Sequence, residues 1–415
     1  MAATSCFPQP VHPPLLSRTP SPVHPDRSLV RSTRTAGTST RGRSLTVAVL
    51  GPSRYPVAEP YAGGLESFVG GLVRGLRERG HRVLLFAAQG SDDAQPEVLD
   101  GGGWEPDELS RRDPSMPAAA FMAEHHAHLR VMDALRTRYA DEVDLVHNNS
   151  LHYLPLSLSA TLPFPTVTTF HTPPTPWLTS ALAAGGGSAR FTSVSRFTGQ
   201  QWAPWAPRAH VVHNGVDPGR WTPGPGGTNL LWFGRLVPEK GPHLAIAAAA
   251  RAGRHLDLVG PALDEEYFAR RIAPHLGRGV TWHGHLGGSP LARAVGRAGA
   301  VLVTPVWDEP FGLVAAEAAM CGTPVVALDR GGLREVVRPG SGSALGEVVA
   351  AGDVDALAAA VGPALAMDRA RVRAAAEARL SAPAMIAGYE GVYRAVLSEA
   401  SAEAPVEDHV RVAAS

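Results

Sequence analysis

Two short stretches of this chain combine cations, glycines and acids in a pattern suited to a phosphorylated ligand. The first is FGRLVPEKGP, residues 233–242. A predicted strand delivers Gly234 and Arg235 at its carboxyl end, and a short loop then sets Lys240 just before a helix opening at Pro242, a residue favoured in the first helical turn. Two fixed cations beside a helix N-terminus make an anion site, because the first-turn N–H groups lack partners and the helix dipole favours negative charge there. The second is EPFGLVAAEA, residues 309–318. Here a helix expected from Phe311 puts Gly312 and Leu313 in its first turn, where free N–H groups can hold a phosphate. Glu317 lies about six residues into that helix, ~9 Å along it, and helical side chains lean toward the N-terminus. Its carboxylate is then within reach of hydroxyls on a group attached to the phosphate, and a ribose fits that distance; the alternatives are a solvated helix face for Glu317 and a plain loop acid for Glu309. Glu309, just outside the helix, would meet whatever hangs from the other side of a diphosphate.

The lysine stands out by count. Among 38 basic residues Lys240 is the single lysine and the other 37 are arginines. A chain rich in Ala, Gly, Arg and Pro suggests a coding bias that exchanges Lys for Arg wherever either serves. A lysine that survives is either an accident or marks a place where a compact ammonium cannot be replaced by a planar guanidinium.

Three other groups invite a chemical reading. Asp353-Val354-Asp355 spells the D-x-D of metal-dependent transferases, but it follows Gly352 and opens an Ala-rich helix, so N-capping is the preferred reading. His125, His126 and His128 with Glu124 have spacings that could place imidazoles on one helix face; with no further ligand evident, a solvated or substrate-facing helix is preferred and no metal is assigned. His171 alone is a strand-end histidine.

The elements that must position these residues alternate regularly. LTVAVLG from Leu45 is a buried strand. In the segment after it, Leu65, Phe68, Val69, Leu72, Val73 and Leu76 form a helical stripe, Gly80 sits at the C′ position, and RVLLFAA is the next strand. This βαβ start implies a parallel doubly wound sheet. Strands are predicted at 143–147, 165–170, 191–195 and 210–216. The Pro/Gly cluster TPGPGG at 222–227 reads as a hinge-like linker, beyond which strand and helix alternate again. Residues 383–397 read as a helix with Met385, Ile386, Tyr389, Val392, Tyr393 and Val396 on one face. The expected organisation is a disordered tail over 1–44, α/β domains over 45–222 and 223–382, a helix at 383–399 returning to the first domain, and a disordered tail over 400–415. In such sheets ligands bind at the carboxyl ends of the strands, which makes the cleft between the domains the expected site.

Composition narrows the partners. Formal net charge is zero, with 38 basic and 38 acidic residues, which argues against a nucleic-acid partner. Six arginines against one aspartate put +5 on the first 44 residues and leave −5 on residues 45–415. Affinity for phosphate must then come from local placement of charge. Two cysteines, Cys6 and Cys321, exclude a disulfide framework, and no run approaches the ~18 apolar residues of a membrane span. A cytoplasmic protein without an integral membrane segment is the expectation. The absence of G-x-G-x-x-G after the first strand of either half disfavours a dehydrogenase.

Together, G-R-x-x-x-x-K-G at 234–241 and E-x7-E at 309–317 resemble the donor site of retaining GT-B glycosyltransferases of family 4 (glycosyl transferases group 1). The resemblance spans nearly all of residues 45–399. Further stations occur in order: Gly63–Gly64, FHT at 170–172, VSR at 194–196, NGVD at 214–217, the HG of VTWHGHL, and GGLREVV at 331–337. The resemblance implies two facing Rossmann-like domains, a nucleoside-diphosphate sugar as donor co-substrate, no other cofactor, no metal, and transfer to an acceptor hydroxyl with retention. By the same resemblance Arg235 and Lys240 bind the diphosphate, Glu317 the ribose, Glu309 the transferred sugar, and Phe311, Gly312 and Leu313 complete the donor site. Gly64 approaches the phosphates from the opposite domain, and His171 sits beside the reacting sugar. Arg196 departs from the family, which more often has an acid there. A sugar-nucleotide epimerase, a phosphorylase and a non-catalytic sugar-nucleotide binder are the competing readings. The phosphorylase would need a second lysine for pyridoxal, and the epimerase would lack the full Glu309/Glu317 arrangement. The acceptor is left open, with its recognition expected around residues 90–155.

Overall fold

The computed structural model describes residues 43–99, 104–185, 189–338 and 344–403. Of the two predicted tails, residues 1–42 and 404–415 lie outside the described residues.

Two six-stranded sheets, all parallel, carry the fold. The first comprises β1 (Thr46–Leu50), β2 (Arg82–Phe86), β3 (Leu145–Asn148), β4 (Thr166–Phe170), β5 (Arg190–Ser193) and β6 (His210–Val211), in spatial order β2-β1-β3-β4-β5-β6. The second comprises β7 (Leu230–Phe233), β8 (Leu256–Val259), β9 (Val280–Trp282), β10 (Ala300–Val303), β11 (Val325–Leu328) and β12 (Gly346–Val349), in order β12-β11-β10-β7-β8-β9. Each order reverses once: between β1 and β3 in the first sheet, between β7 and β10 in the second. The loops leaving those strand ends diverge and open a crevice, the usual seat of a ligand in doubly wound sheets.

Both faces of each sheet are covered, which is why the strands read as continuous apolar runs. Along β1, Val47 and Val49 face one core while Ala48 and Leu50 face another. Along β7, Leu231 and Phe233 enter one core and Leu230 and Trp232 the other. In the helix Gly64–Glu78, Phe68, Val69, Leu72, Val73 and Leu76 are buried under the first sheet. The last helix, Ala382–Glu403, packs beside it, placing Met385, Ile386, Tyr389, Val392, Tyr393 and Val396 in the same core. The two helices touch at Gly75, where an added Cβ would lie 2.6 Å from Ile386.

Three local expectations need correction. The 210–216 strand is paired only at His210–Val211. Beyond it the chain leaves the sheet: Val216 exchanges backbone hydrogen bonds with Leu380 and Ala382, and Gly215 abuts the Ser381 carbonyl. The 222–227 segment is packed rather than free, with Gly224 lying against the Gly296 backbone. The final helix runs to Glu403, past the expected end at 399, and Ser401 Oγ donates to the Leu397 carbonyl (2.8 Å).

Candidate functional site

The loops after β7 and β10 meet at the switch point of the second sheet. Lys240 ends a short turn, Pro238–Lys240, and Gly241 follows with φ 64°, a left-handed conformation costly for other residues. A Cβ there would lie 2.0 Å from the Thr304 carbonyl. Thr304, buried at the end of β10, donates from Oγ1 to the Gly241 carbonyl (2.8 Å) and accepts from Trp232 Nε1 (3.1 Å). Val306 N donates to the Glu239 carbonyl (3.0 Å), so the two loops are stitched together.

This fixes Lys240 beside Glu309. Lys240 Nζ donates to Glu309 Oε2 at 2.6 Å, and Trp307 Nε1 donates to the same oxygen at 3.1 Å. The ammonium also lies 4.9 Å from the Trp307 ring centroid, a cation–π distance. The Glu309 carbonyl accepts from Gly332 N (2.8 Å), so the 331–337 segment supports this loop from behind. Arg235 stands apart: its guanidinium is half exposed and lies 3.6 Å from Glu239.

The second helix start differs from expectation. It begins at Leu313, not Phe311, because Gly312 takes φ 99° as its cap. Glu317 is therefore about one turn in, ~6 Å from the start. Phe311 turns its ring into the core, 5.8 Å from His213, leaving its backbone at the site. Glu317 lines a cavity of about 110 Å³ between the domains with Leu313, Phe68, Arg74, Arg220 and Trp221. Burial pushes its carboxyl up to about 8, against a smaller downward pull from Arg220. Gly64 closes in from the first domain: a Cβ there would be 3.1 Å from Leu313 Cδ1.

His171 directly follows β4, and Asn149 directly follows the neighbouring β3. Asn149 Nδ2 donates to the His147 carbonyl (3.3 Å), which turns its Oδ1 toward His171 Nε2 at 3.0 Å. His171 is thus a neutral donor through Nε2, and burial lowers its pKa to about 3. Phe68 meets its ring edge-on at 4.6 Å and also lines the Glu317 cavity, placing His171 and Glu317 on one cleft.

The domains are locked across this cleft. Ser195 Oγ (2.5 Å) and Thr198 Oγ1 (3.1 Å) both donate to the carbonyl of Pro310, in the loop that carries Glu309. Glu335 accepts from the backbone N–H groups of Arg196 and Phe197 (3.0 Å each) and faces His213 Nε2 at 3.3 Å. Burial pushes the Glu335 carboxyl up, but His213 and the two N–H groups outweigh it and hold it below the usual range. Arg196 uses its backbone here while its side chain is exposed.

Trp307, Thr304, Asn149, Arg220 and Glu335 are the residues that sequence reasoning missed. Trp307, two positions before Glu309, and Glu335, inside the GGLREVV run, carried a local signal. Asp353 is an N-cap, accepting from Ala356 N at 2.8 Å. Among the described residues no three His, Cys, Asp or Glu side chains converge on a point that a metal could occupy, and His125, His126 and His128 with Glu124 form no such group. Among the described residues no helix is long and apolar enough to cross a membrane.

Comparison with known proteins follows this division. Residues 62–220 match the family described as Glycosyltransferase Family 4, and residues 225–381 match Glycosyl transferases group 1. A glycogen synthase of Mycobacterium tuberculosis is 40% identical over 177 residues, 39% of this chain and 42% of that protein. A D-inositol 3-phosphate glycosyltransferase of Acidothermus cellulolyticus is 33% identical over 223 residues, 46% of this chain and 49% of that protein. The chain thus spans less than half the length of these curated relatives. Among solved structures, AviGT4, a glycosyltransferase involved in avilamycin A biosynthesis, superposes with TM-score 0.60 at 25% identity, covering 85% of this chain and 98% of its own.

Proposed function

Because the chain belongs to the glycosyl transferases group 1, built on the GT-B fold, we propose that it transfers a sugar from a nucleoside-diphosphate sugar to an acceptor hydroxyl. The proposal includes retention of anomeric configuration, independence from metal and cofactor, and a cytoplasmic setting. The observation that carries it is the Lys240–Glu309 pair at the switch point of the second sheet, on the loops beside the helix start at Leu313 that Gly64 of the first domain approaches.

Each residue then has a task. The diphosphate draws Lys240 away from Glu309, and Arg235, half exposed, turns in beside it. The free first-turn N–H groups after Gly312 add further donors. Released from the lysine, Glu309 accepts from hydroxyls of the transferred sugar, while Glu317 accepts from those of the ribose. In the reaction the sugar–phosphate C–O bond breaks as the acceptor oxygen bonds to the same carbon from the same face. The acceptor's proton passes to the departing phosphate, giving a glycoside and a nucleoside diphosphate. Negative charge grows on the diphosphate, so preplaced cations and N–H groups stabilise the transition state more than the ground state. His171, neutral and held by Asn149, forms a polar uncharged wall beside the sugar.

A panel of nucleotide sugars scored by thermal shift tests the binding half, since a ligand of the folded state raises its stability. At least one should raise Tm and be consumed, releasing nucleoside diphosphate in the presence of a chelator. A panel with no stabilising member would refute the reading. A product with inverted configuration would refute retention, and loss of turnover with chelator would refute metal independence.

A further inference from the structure

A second set of side chains gathers at the other switch point, between β1 and β3, and the proposed transfer does not use it. It consists of a ladder of near-parallel rings. Trp177, 57% exposed, stacks with Tyr153 (6.0 Å between centroids, 16°), Tyr153 with His152 (4.7 Å, 20°), and His152 with His128 (4.0 Å, 12°). Phe121 stacks on Trp177 from the side (5.5 Å, 26°). The ladder runs from solvent at the indole to full burial at His128, 1% exposed.

The two inner rungs are opposite tautomers. His128 Nδ1 lies 2.9 Å from the Glu124 carbonyl, which can only accept, so Nδ1 carries the proton and Nε2 is a bare acceptor. His152 Nδ1 accepts from Leu154 N at 3.2 Å, so its proton sits on Nε2, a donor. Neither Nε2 has a hydrogen-bond partner, although His128 is 1% and His152 9% exposed. Burial holds both imidazoles neutral. A buried polar atom without a partner calls for an explanation. Here one donor and one acceptor lie on adjacent stacked rings, and a hydroxyl group both donates and accepts.

The ladder also lies close to the reacting position. His152 is three residues from Asn149, at most ~11 Å of chain, and Asn149 is hydrogen-bonded to His171. Glu124 meets the ladder through its backbone carbonyl, while its carboxylate accepts from Ser53 of the loop after β1. The nearby cation Arg54 lies over Tyr55, 5.8 Å from that ring's centroid.

We propose that this ladder is the acceptor site and that its ligand is an uncharged saccharide. The apolar face of a sugar ring stacks on the Trp177 indole, and a hydroxyl joins the His128/His152 pair. A phosphorylated acceptor would meet neutral imidazoles. The inference rests on the proposed transferase reading, which supplies the donor.

The test titrates wild type, Trp177→Ala, Trp177→Phe and His152→Phe, each saturated with the nucleoside diphosphate that gives the largest thermal shift. The probes are maltotriose, cellotriose and mannotriose, with glucose 1-phosphate as the charged comparison, and the readout is calorimetry. At least one neutral trisaccharide should bind the wild type more tightly than glucose 1-phosphate does. Trp177→Ala should weaken it by about tenfold or more, equivalent to ~1.4 kcal/mol. Trp177→Phe should restore most of the loss, and His152→Phe, which keeps the stack, should weaken binding severalfold. The thermal shift given by the nucleoside diphosphate should be the same in all four proteins. Preference for glucose 1-phosphate, equal binding by Trp177→Ala, or no binding of any neutral trisaccharide overturns the proposal. Failure of every nucleotide to shift the wild type would instead overturn the transferase reading, and saccharide titration without nucleotide would still report on the ladder.

Discussion

The two walls of the cleft solve the same problem with opposite electrostatics. The wall from the second sheet is charged: Lys240, Glu309, Arg235 and Glu317 lie on loops and a helix start at the β7/β10 switch point. The wall from the first domain sets a neutral, aromatic stretch, His171, Asn149 and Phe68, beside the arginines Arg74 and Arg220 of the Glu317 cavity, with the ring ladder three residues along the chain from Asn149. In the proposed transfer a leaving diphosphate needs charge placed in advance, whereas an incoming hydroxyl needs polar atoms that do not compete for the phosphate. Their titration signs are opposite too. His147, His152 and His171 have pKa values lowered to about 3 by burial, whereas burial raises Glu317 to about 8.

The sharpest way to break this contrast is to remove charge from the charged wall. Lys240→Ala should lower kcat by roughly 10²–10³, the scale of losing one transition-state charge donor. Lys240→Arg should also lose turnover while Tm and circular dichroism stay at wild-type values. Full activity in the arginine variant would make the single lysine a coding accident. Next, Glu317→Ala should weaken nucleoside-diphosphate affinity by about 10–100-fold, the value of hydrogen bonds to a charged group. Because ribose hydroxyls favour its ionised form, wild-type affinity should rise from pH 6 to pH 8.5. In Glu317→Gln that slope should flatten, and calorimetry across the range checks both.

The neutral wall should fail in acid and the charged wall in base. For the three histidines the unfolded state binds more protons between about 3 and 6.5, so their contribution to stability is complete above 6.5 and lost as pH falls toward 3. For Glu317 the folded state binds more protons between 4.5 and about 8, so stability falls as pH rises through that window. Thermal melts from pH 4 to 9 should show both limbs, and Glu317→Gln should raise Tm at pH 9 but not at pH 5. The smallest effect belongs to the junction of the walls. Ser195→Ala leaves Thr198 on the Pro310 carbonyl and should cost about 1 kcal/mol in stability, with only a severalfold change in turnover. An unchanged melt would mean that this junction does not hold the domains together.

The charged wall was far more legible in the sequence than the neutral one. Its residues sit in two runs of ten, each crossing from a strand end into a helix start, so spacing alone places them. What sequence spacing missed was the partnership of Lys240 with Glu309, 69 positions apart, because it depends on β7 and β10 being neighbours. It also missed the helix start at Leu313, which a left-handed Gly312 delays. The alternation of strands and helices was plain, as was the buried face of the last helix. The neutral wall is scattered over loops after β1, β3 and β4 and one face of the helix Ala119–Arg136, and no local pattern ties His128 to His152 or His171 to Asn149. Of the three histidines weighed for a metal face, His128 became a rung of the stack, against His152 from another loop.

The last helix has a consequence for how the molecule is made. Tyr389 and Tyr393, near the end of the described chain, are fully buried beneath the first sheet, and Tyr393 OH lies 2.7 Å from His147 Nδ1, 246 positions away. During synthesis the first sheet therefore emerges long before the helix that covers it. At about 5–20 residues per second, the ribosome takes on the order of 10–50 s to bridge those positions. Throughout that interval Phe68, Val69 and Val49 lack part of their cover. The first domain can be completed only after the second has been synthesised, so a ribosome that stalls late, or a protease that cuts before Ala382, leaves an open apolar face on the half that was made first.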